Sequence, residues 1–330
     1  MRCIDVHSHF IPLEFIEAAR RDPSRLGVRV VQDASGSDAL VHDQGYSYPV
    51  PPRFYDLEAR RADMRVAGLD SAVLSVSPTL FYYWAEAELA AEVARLCNDA
   101  AAALVRQDPE HFWALATVPL QDVSLAVREL ERAVGRLGLH GVEIGSILPQ
   151  ASLSDPRLDP FWRLVSELDL PVLVHPYYVG TRRGMERFYL TNLVGNPFET
   201  TLSLADAACG GLLERFPGLK LIFVHAGGAV PYILGRLDHG HRVRPETRAA
   251  IVHPPSRYVR QVYFDTITHF GPALQYLVDT FGSDRVLLGS DYPFDMADPD
   301  PVGTVSRLRA SPEQLAAVSG GNALRLIKSC

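Results

Sequence analysis

Two histidines stand one residue apart near the start of the chain, in Asp5-Val6-His7-Ser8-His9. They follow a short apolar run that begins at Cys3. Read as a β-strand, alternate side chains share a face, so His7 and His9 point the same way with backbones roughly 6.5–7 Å apart. Two imidazoles so placed can converge on one ion, and nitrogen ligands suit zinc and its first-row neighbours. An HxH alone is a short motif with a real false-positive rate. Its weight comes from the ends of other apolar runs: Pro171-Val-Leu-Val runs into His175, Leu219 to Val224 into His225, and Val286-Leu-Leu-Gly-Ser into Asp291.

These ends need a scaffold that gathers them. Eight short apolar runs alternate with longer stretches of helical pattern. The runs start at Cys3, Ser71, Phe112, Gly141, Pro171, Leu219, Val262 and Val286. Several are almost continuously apolar, as strands buried on both faces of a parallel sheet are. Between them lie amphipathic stretches such as Glu86–Leu104, Val123–Leu137, Thr200–Phe216 and Gly271–Phe281. Strand followed by helix, eight times, predicts an α/β fold, a (β/α)8 TIM barrel, in which all strand ends meet at one mouth. A doubly wound open sheet is the competing fold, but it often carries a Gly-rich phosphate turn after its first strand, where this chain has histidines.

Within a barrel, His7, His9, His175 and Asp291 form a three-nitrogen, one-oxygen ligand set. Zinc accepts such a set with a water or substrate as a further ligand, and lowers the pKa of bound water to about 7. His225 is then the spare group, placed as a general acid/base. Two alternatives stay open: His225 as a further ligand, to the same or a second ion, and Asp291 as a proton shuttle that only brushes the metal. Glu143 on the fourth run is a carboxylate that a second ion could use, or a polar residue packed inside the barrel. The remaining histidines, His42, His111, His140, His239, His241, His253 and His269, lack such placement; His269 follows the seventh run closely enough to reach the mouth.

At 330 residues, nearly half of them hydrophobic, the chain is long enough for one barrel-sized domain over 1–330. The formal net charge is −7, with both signs spread along the chain and no basic block, which argues against nucleic acid as a partner. The four cysteines are far apart with no CxxC, and no apolar run has transmembrane length or the pattern of a signal peptide. The expectation is a soluble cytoplasmic protein without a membrane partner. Two segments break the strand–helix rhythm: an insertion over about 21–53, and a lid-like loop over about 177–199 with a Gly-Thr-Arg-Arg-Gly turn. Both are expected at the mouth. Near the end, Ser311-Pro-Glu-Gln314 has the form of a capping box and should start a short closing helix.

The chain resembles the amidohydrolase superfamily, and within it the 2-amino-3-carboxymuconate-6-semialdehyde decarboxylase group. The likeness covers nearly the whole length. It is carried by Asp5-Val-His-Ser-His-Phe, Arg61-Ala-Asp-Met-Arg-Val-Ala-Gly-Leu-Asp, Asn98-Asp99, Val118-Pro-Leu-Gln-Asp, Leu173-Val-His-Pro, His225-Ala-Gly-Gly, Leu234-Gly-Arg and Leu288-Gly-Ser-Asp-Tyr-Pro-Phe294. This resemblance implies a mononuclear zinc barrel (Zn2+, with Mn2+ or another divalent first-row metal as alternatives) that decarboxylates without oxidation or hydrolysis. It implies His7, His9, His175 and Asp291 as ligands and His225 as the acid/base. It also implies a homodimer in which Arg236 holds a carboxylate of the small-molecule substrate in the neighbouring subunit, and Phe294 as a pocket wall. The insertion departs from the family pattern; Arg53 is the nearest counterpart there of a second substrate arginine. The reaction expected is decarboxylation of a small carboxylated aromatic or muconate-semialdehyde-type substrate, by metal-bound water or hydroxide with His225, or by ring protonation from Asp291. The rival is a metal-dependent hydrolase or hydratase acting on a lactone, amide or activated alkene.

Overall fold

Each of the eight runs forms a strand, and their buried β-branched and aromatic residues explain why. The computed structural model describes residues 2–33, 36–177 and 184–327. The strands are β1 (Ile4–Phe10), β2 (Ser71–Val76), β3 (Phe112–Ala114 with Ala116–Thr117), β4 (Val142–Gly145), β5 (Pro171–His175), β6 (Lys220–Phe223), β7 (Tyr263–Asp265) and β8 (Val286–Leu287). All neighbouring strands pair in parallel, β1 with β2 and so on to β7 with β8. At the break in β3 the ladder continues through Leu115 N–H to Leu74 O (2.8 Å) and Ala116 N–H to Gly141 O (2.9 Å).

The barrel closes between β8 and β1. Val6 N–H donates to Leu288 O (2.9 Å), Asp291 N–H to His7 O (2.8 Å) and His9 N–H to Tyr292 O (2.6 Å). The expected TIM barrel is therefore the observed fold. Outward-facing side chains such as Phe10, Phe112, Phe223 and Phe264 are buried under the helices, each worth roughly 1.5–3 kcal/mol of burial. Those helices include Ala87–Gln107, Val123–Gly135, Asp159–Glu167, Asn196–Cys209, Val230–Val243 and Gly271–Phe281. Ile4, Val6, Val73, Trp113, Leu115, Leu173, Ile222 and Leu287 fill the inside of the barrel. Ala323, Leu326 and Ile327 of the last helix, Asn322–Ile327, complete this plug from below.

The structure adds to the sequence reading at two places. The insertion is not plain loop: Val28–Gln32, Asp38–His42 and Ser47–Pro49 form an antiparallel sheet, with Val28 and Leu40 buried beneath it. Its alternating valines carry the strand signal inside a segment otherwise rich in turn residues. The end of the expected lid loop is already helical, because a wide turn at Thr191–Gly195 leads into the helix starting at Asn196. Residues 180–183 of the Gly-Thr-Arg-Arg-Gly turn lie outside the described residues. The capping box at Ser311 and Gln314 is present and starts the helix Pro312–Ala316. Among the described residues no helix is long and apolar enough to cross a membrane.

Candidate metal centre

β1 begins by pointing Ile4 and Val6 into the apolar plug. Strict alternation from there would turn His7 and His9 outward. A register shift against β2, between Asp5 and Ser8, adds one residue and reverses the phase. A bulge of this kind re-aims a side chain beside a site. Beyond it both imidazoles face inward, with their Nε2 atoms 3.0 Å apart. Asp5 steadies the bulge across the barrel seam. Its carboxylate accepts from His7 N–H (3.0 Å), Ser290 N–H (3.0 Å) and the Ser290 hydroxyl. Arg60, wholly buried, donates to His9 O (2.7 Å) and to the Ser8 hydroxyl.

His175 ends β5, its ring centroid 5.0 Å from that of His7 and 4.9 Å from that of His9. Asp291 follows β8 with φ of +65°, a left-handed conformation that aspartate tolerates better than most residues. Its Oδ1 lies 3.2 Å from His9 Nε2 and 3.5 Å from His7 Nε2. One ligand atom from each of His7, His9, His175 and Asp291 lies within 4.8 Å of every other, and all four residues are buried.

The protonation pattern of this cluster fits a cation. His7 Nδ1 faces Asp265 Oδ2 at 2.8 Å, His9 Nδ1 faces Val76 O at 3.1 Å, and His175 Nδ1 faces Pro176 O at 2.8 Å. These oxygens can only accept, so each neutral ring carries its proton on Nδ1 and a lone pair on Nε2. Three lone pairs and a carboxylate then face one point. His175 Nε2 is buried there without a hydrogen-bond partner among the described residues, an orphan that a metal would satisfy. Two nitrogens 3.0 Å apart suit one ion at about 2.0–2.1 Å from each.

The charge states of His175 and Asp291 agree, while at His7 burial is outweighed by the Asp265 and Asp291 carboxylates, which raise the imidazole. Burial, then the neighbouring His9 and His7, holds the His175 imidazole well below its ordinary value, hence neutral. Burial alone would push Asp291 upward, but the imidazoles of His225, His9 and His7 hold it well below the usual carboxylate range. Neutral imidazole and ionised carboxylate are the ligating forms.

His225 stands at the rim of this group. Its Nε2 is 3.9 Å from Asp291 Oδ2, and its ring centroid lies 5.4 Å from that of His175 and 5.6 Å from that of His7. His225 and Ala226 have φ of +52° and +54°, a conformation that costs on the order of 1–3 kcal/mol per residue and is found at functional sites. A cavity of about 710 Å³ opens onto His225 and Asp291, walled by Leu193, Tyr232, Ile267, Phe270 and Met296, with His269 also lining it. A larger depression of about 850 Å³ beside it touches none of the ligand residues, so its size gives it no part in this chemistry.

The other expected site residues are placed differently. Phe294 packs edge-on to His9, with ring centroids 5.3 Å apart, and against Phe54 at 5.2 Å. Arg53 is half exposed and leans toward Asp63, 3.8 Å away; that carboxylate also accepts from Tyr292 Oη at 2.7 Å. It does not line the cavity. Arg236 is exposed on the helix Val230–Val243, without a hydrogen bond or ion pair among the described residues. Neither arginine of this chain is brought to the four ligands. Glu143 is fully buried, 3.9 Å from His9 Nδ1, on the side of the ring away from the other ligands. Neither of its oxygens has a hydrogen-bond partner among the described residues, and burial holds it well above the usual range.

Sequence reading missed Asp265, which is wholly buried and bonded to His7. It carries the same signal as the other groups, a polar residue at the C-terminal end of a barrel strand, but it sits inside an apolar run with no histidine to mark it.

Comparison with known proteins agrees with this geometry. The sequence profile of the family described as Amidohydrolase matches residues 4–328. The chain is 31% identical over 327 residues to the 2-amino-3-carboxymuconate-6-semialdehyde decarboxylase of Dictyostelium discoideum, covering 98% of this chain and 91% of that protein. It is 30% identical over 267 residues to the gamma-resorcylate decarboxylase of a Polaromonas species, covering 74% and 80%. The crystal structure of 5-carboxyvanillate decarboxylase from Sphingomonas paucimobilis superposes with a TM-score of 0.84 at 26% identity, covering 99% of both chains.

Proposed function

This chain belongs to the amidohydrolase family, and from that membership we propose that it is a metal-dependent, non-oxidative decarboxylase of a small carboxylated aromatic or muconate-semialdehyde-type acid. The observation that carries the reading is the convergence of three Nε2 lone pairs and the Asp291 carboxylate, with an uncommitted imidazole, His225, beside them. His7, His9, His175 and Asp291 would hold the ion. Zinc is the first choice, and manganese or another first-row divalent ion the alternative. Bound there, such an ion supplies Lewis acidity where a substrate carboxylate or enol oxygen would lie.

The protein's own groups handle the proton. Loss of CO2 leaves an electron pair on carbon, and a proton must meet it. His225 Nε2 is the group that delivers it, or that activates water for prior addition to a double bond; Asp291 Oδ2, 3.9 Å away, is its partner in the relay. Phe294, edge-on to His9 and backed by the buried Phe54, is an aromatic wall that a planar substrate would stack on and that would keep water off the reacting carbon. Asn192 and Leu193, in the described part of the segment after β5, border the cavity and would act as its lid over this single barrel, in a cytoplasmic enzyme whose described cysteines are unpaired.

A second copy of the chain completes the site. Leu193, Val194, Phe198, Tyr232 and Phe270 are all exposed, and most of them border the cavity. An apolar face of this extent marks an interaction surface. Arg236 lies one turn from Tyr232 on the same helix and would enter the neighbour's mouth to grip a carboxylate through two parallel hydrogen bonds; Arg53 is a weaker candidate for a second grip. Arg236→Ala should leave ion content unchanged and raise KM about tenfold or more, since it removes both charge-assisted hydrogen bonds of the grip; an unchanged KM counts against it. Sedimentation should report a dimer.

The decisive test is product analysis. Metal-loaded and metal-stripped protein are incubated with carboxylated phenols and muconate semialdehydes, and released CO2 is captured. Metal-dependent CO2 release is expected. A product that gains water with no CO2 would instead mark a hydrolase or hydratase.

A further inference from the structure

Asp265 ends β7 with its carboxylate closed inside the barrel, and four donors converge on it. Oδ2 accepts from His7 Nδ1 at 2.8 Å and from the backbone N–H of His225 at 3.0 Å. Oδ1 accepts from the N–H of Ala226 at 2.8 Å and of Ile267 at 3.2 Å. Oδ2 thus meets two residues with separate duties, through the ring of a ligand and the backbone N–H of the proton-handling histidine. His225 and Ala226 both hold positive φ, and the carboxylate receives the N–H groups of that turn directly.

We infer that Asp265 is a positioning residue that sets the His7 tautomer and the His225 turn together. This rests on the metal-centre reading above and deepens it. With its proton drawn to Nδ1, His7 must offer its lone pair at Nε2, toward His9 and Asp291. A carboxylate that orients a ligating histidine in this way also raises its basicity as a ligand. Because the same oxygen holds the His225 N–H, ligand geometry and acid/base geometry are tied to one side chain.

The arrangement makes asparagine a sharp probe, although it has the same shape. A carboxylate has acceptor sites for all four donors; an amide has one accepting oxygen and one donating nitrogen. If the amide nitrogen faces Ala226 and Ile267, N–H meets N–H and the turn opens. If it faces His7, the ring must accept at Nδ1 and carry its proton on Nε2, where the ion belongs.

The test uses 15N-labelled full-length protein, zinc as the probe, and two readouts other than turnover. Ring 15N shifts of the zinc-free wild type, read at a pH where the His7 ring is neutral, should place its proton on Nδ1; a neutral ring protonated on Nε2 overturns the inference. This measurement needs no variant to fold. Competition with a chromophoric chelator should show Asp265→Asn binding zinc 10–100-fold more weakly than wild type, and its His7 ring shifted toward the Nε2–H form. Equal zinc affinity with an unchanged His7 tautomer and unchanged backbone amide shifts at His225 and Ala226 overturns it. Absence of zinc binding by the wild type would instead remove the metal-centre reading, a separate failure.

Discussion

The two ends of this barrel are built from the same strands by opposite rules. The lower end is a plug of Ile4, Val6, Val73, Trp113, Leu115, Leu173, Ile222 and Leu287. The upper end holds His7, His9, His175, Asp265 and Asp291, all buried and all polar. β1 serves both, giving Ile4 and Val6 to one and His7 and His9 to the other, with the register shift between them. The plug depends on volume, so many apolar side chains would fill it. The mouth depends on where single atoms lie and which of them carry protons, so few replacements preserve it.

This contrast can be broken most forcefully at a ligand. His9→Ala should lower zinc affinity by more than the 10–100-fold that losing a supporting hydrogen bond costs, measured by chelator competition, while thermal unfolding of the zinc-free protein changes little. Wild-type affinity in that variant would remove His9 from the ligand set. Next in size is His225→Ala. Its turnover should fall by about 10²–10⁴ with zinc stoichiometry unchanged, and loss of the ion would make His225 a ligand.

The plug should answer differently. Leu173→Ala, two residues below His175, should cost about 2–5 kcal/mol in denaturant unfolding and leave zinc stoichiometry intact. Loss of the ion with little loss of stability would mean that the two ends do not obey separate rules.

The insertion provides the smallest and most graded test. His42 is buried there among Tyr46 and Tyr48, and burial pushes its imidazole down to about 4. The unfolded chain takes up this proton near pH 6.5, and the folded chain only near pH 4. Between these values the unfolded state binds more protons, so stability falls as pH falls, by up to about 3 kcal/mol. His42→Phe should flatten that part of the stability–pH curve; parallel curves for variant and wild type would assign the loss elsewhere.

Much of the scaffold was readable before any coordinates. Continuous apolar runs such as Ser71–Val76 and Pro171–Val174 marked strands, because a strand buried on both faces leaves no room for polar residues. Gly271–Phe281 was readable to its ends, with a proline near its start and a glycine just after it. The helix after β6 and the sheet in the insertion were less legible. The first begins beyond a turn of positive-φ residues, and the second hides its short strands among turn formers.

Chemistry divides along the same line. Residue types and their places at strand ends determined which side chains could share a mouth, since a closed barrel brings every strand end to one face. Tertiary structure alone decided the rest: the bulge that turns His7 inward, the carbonyl and carboxylate partners that leave each Nε2 lone pair free, and the role of Asp265, 258 positions from the ring it holds. Side-chain direction and tautomer depend on partners that are distant in sequence, and no local pattern encodes them.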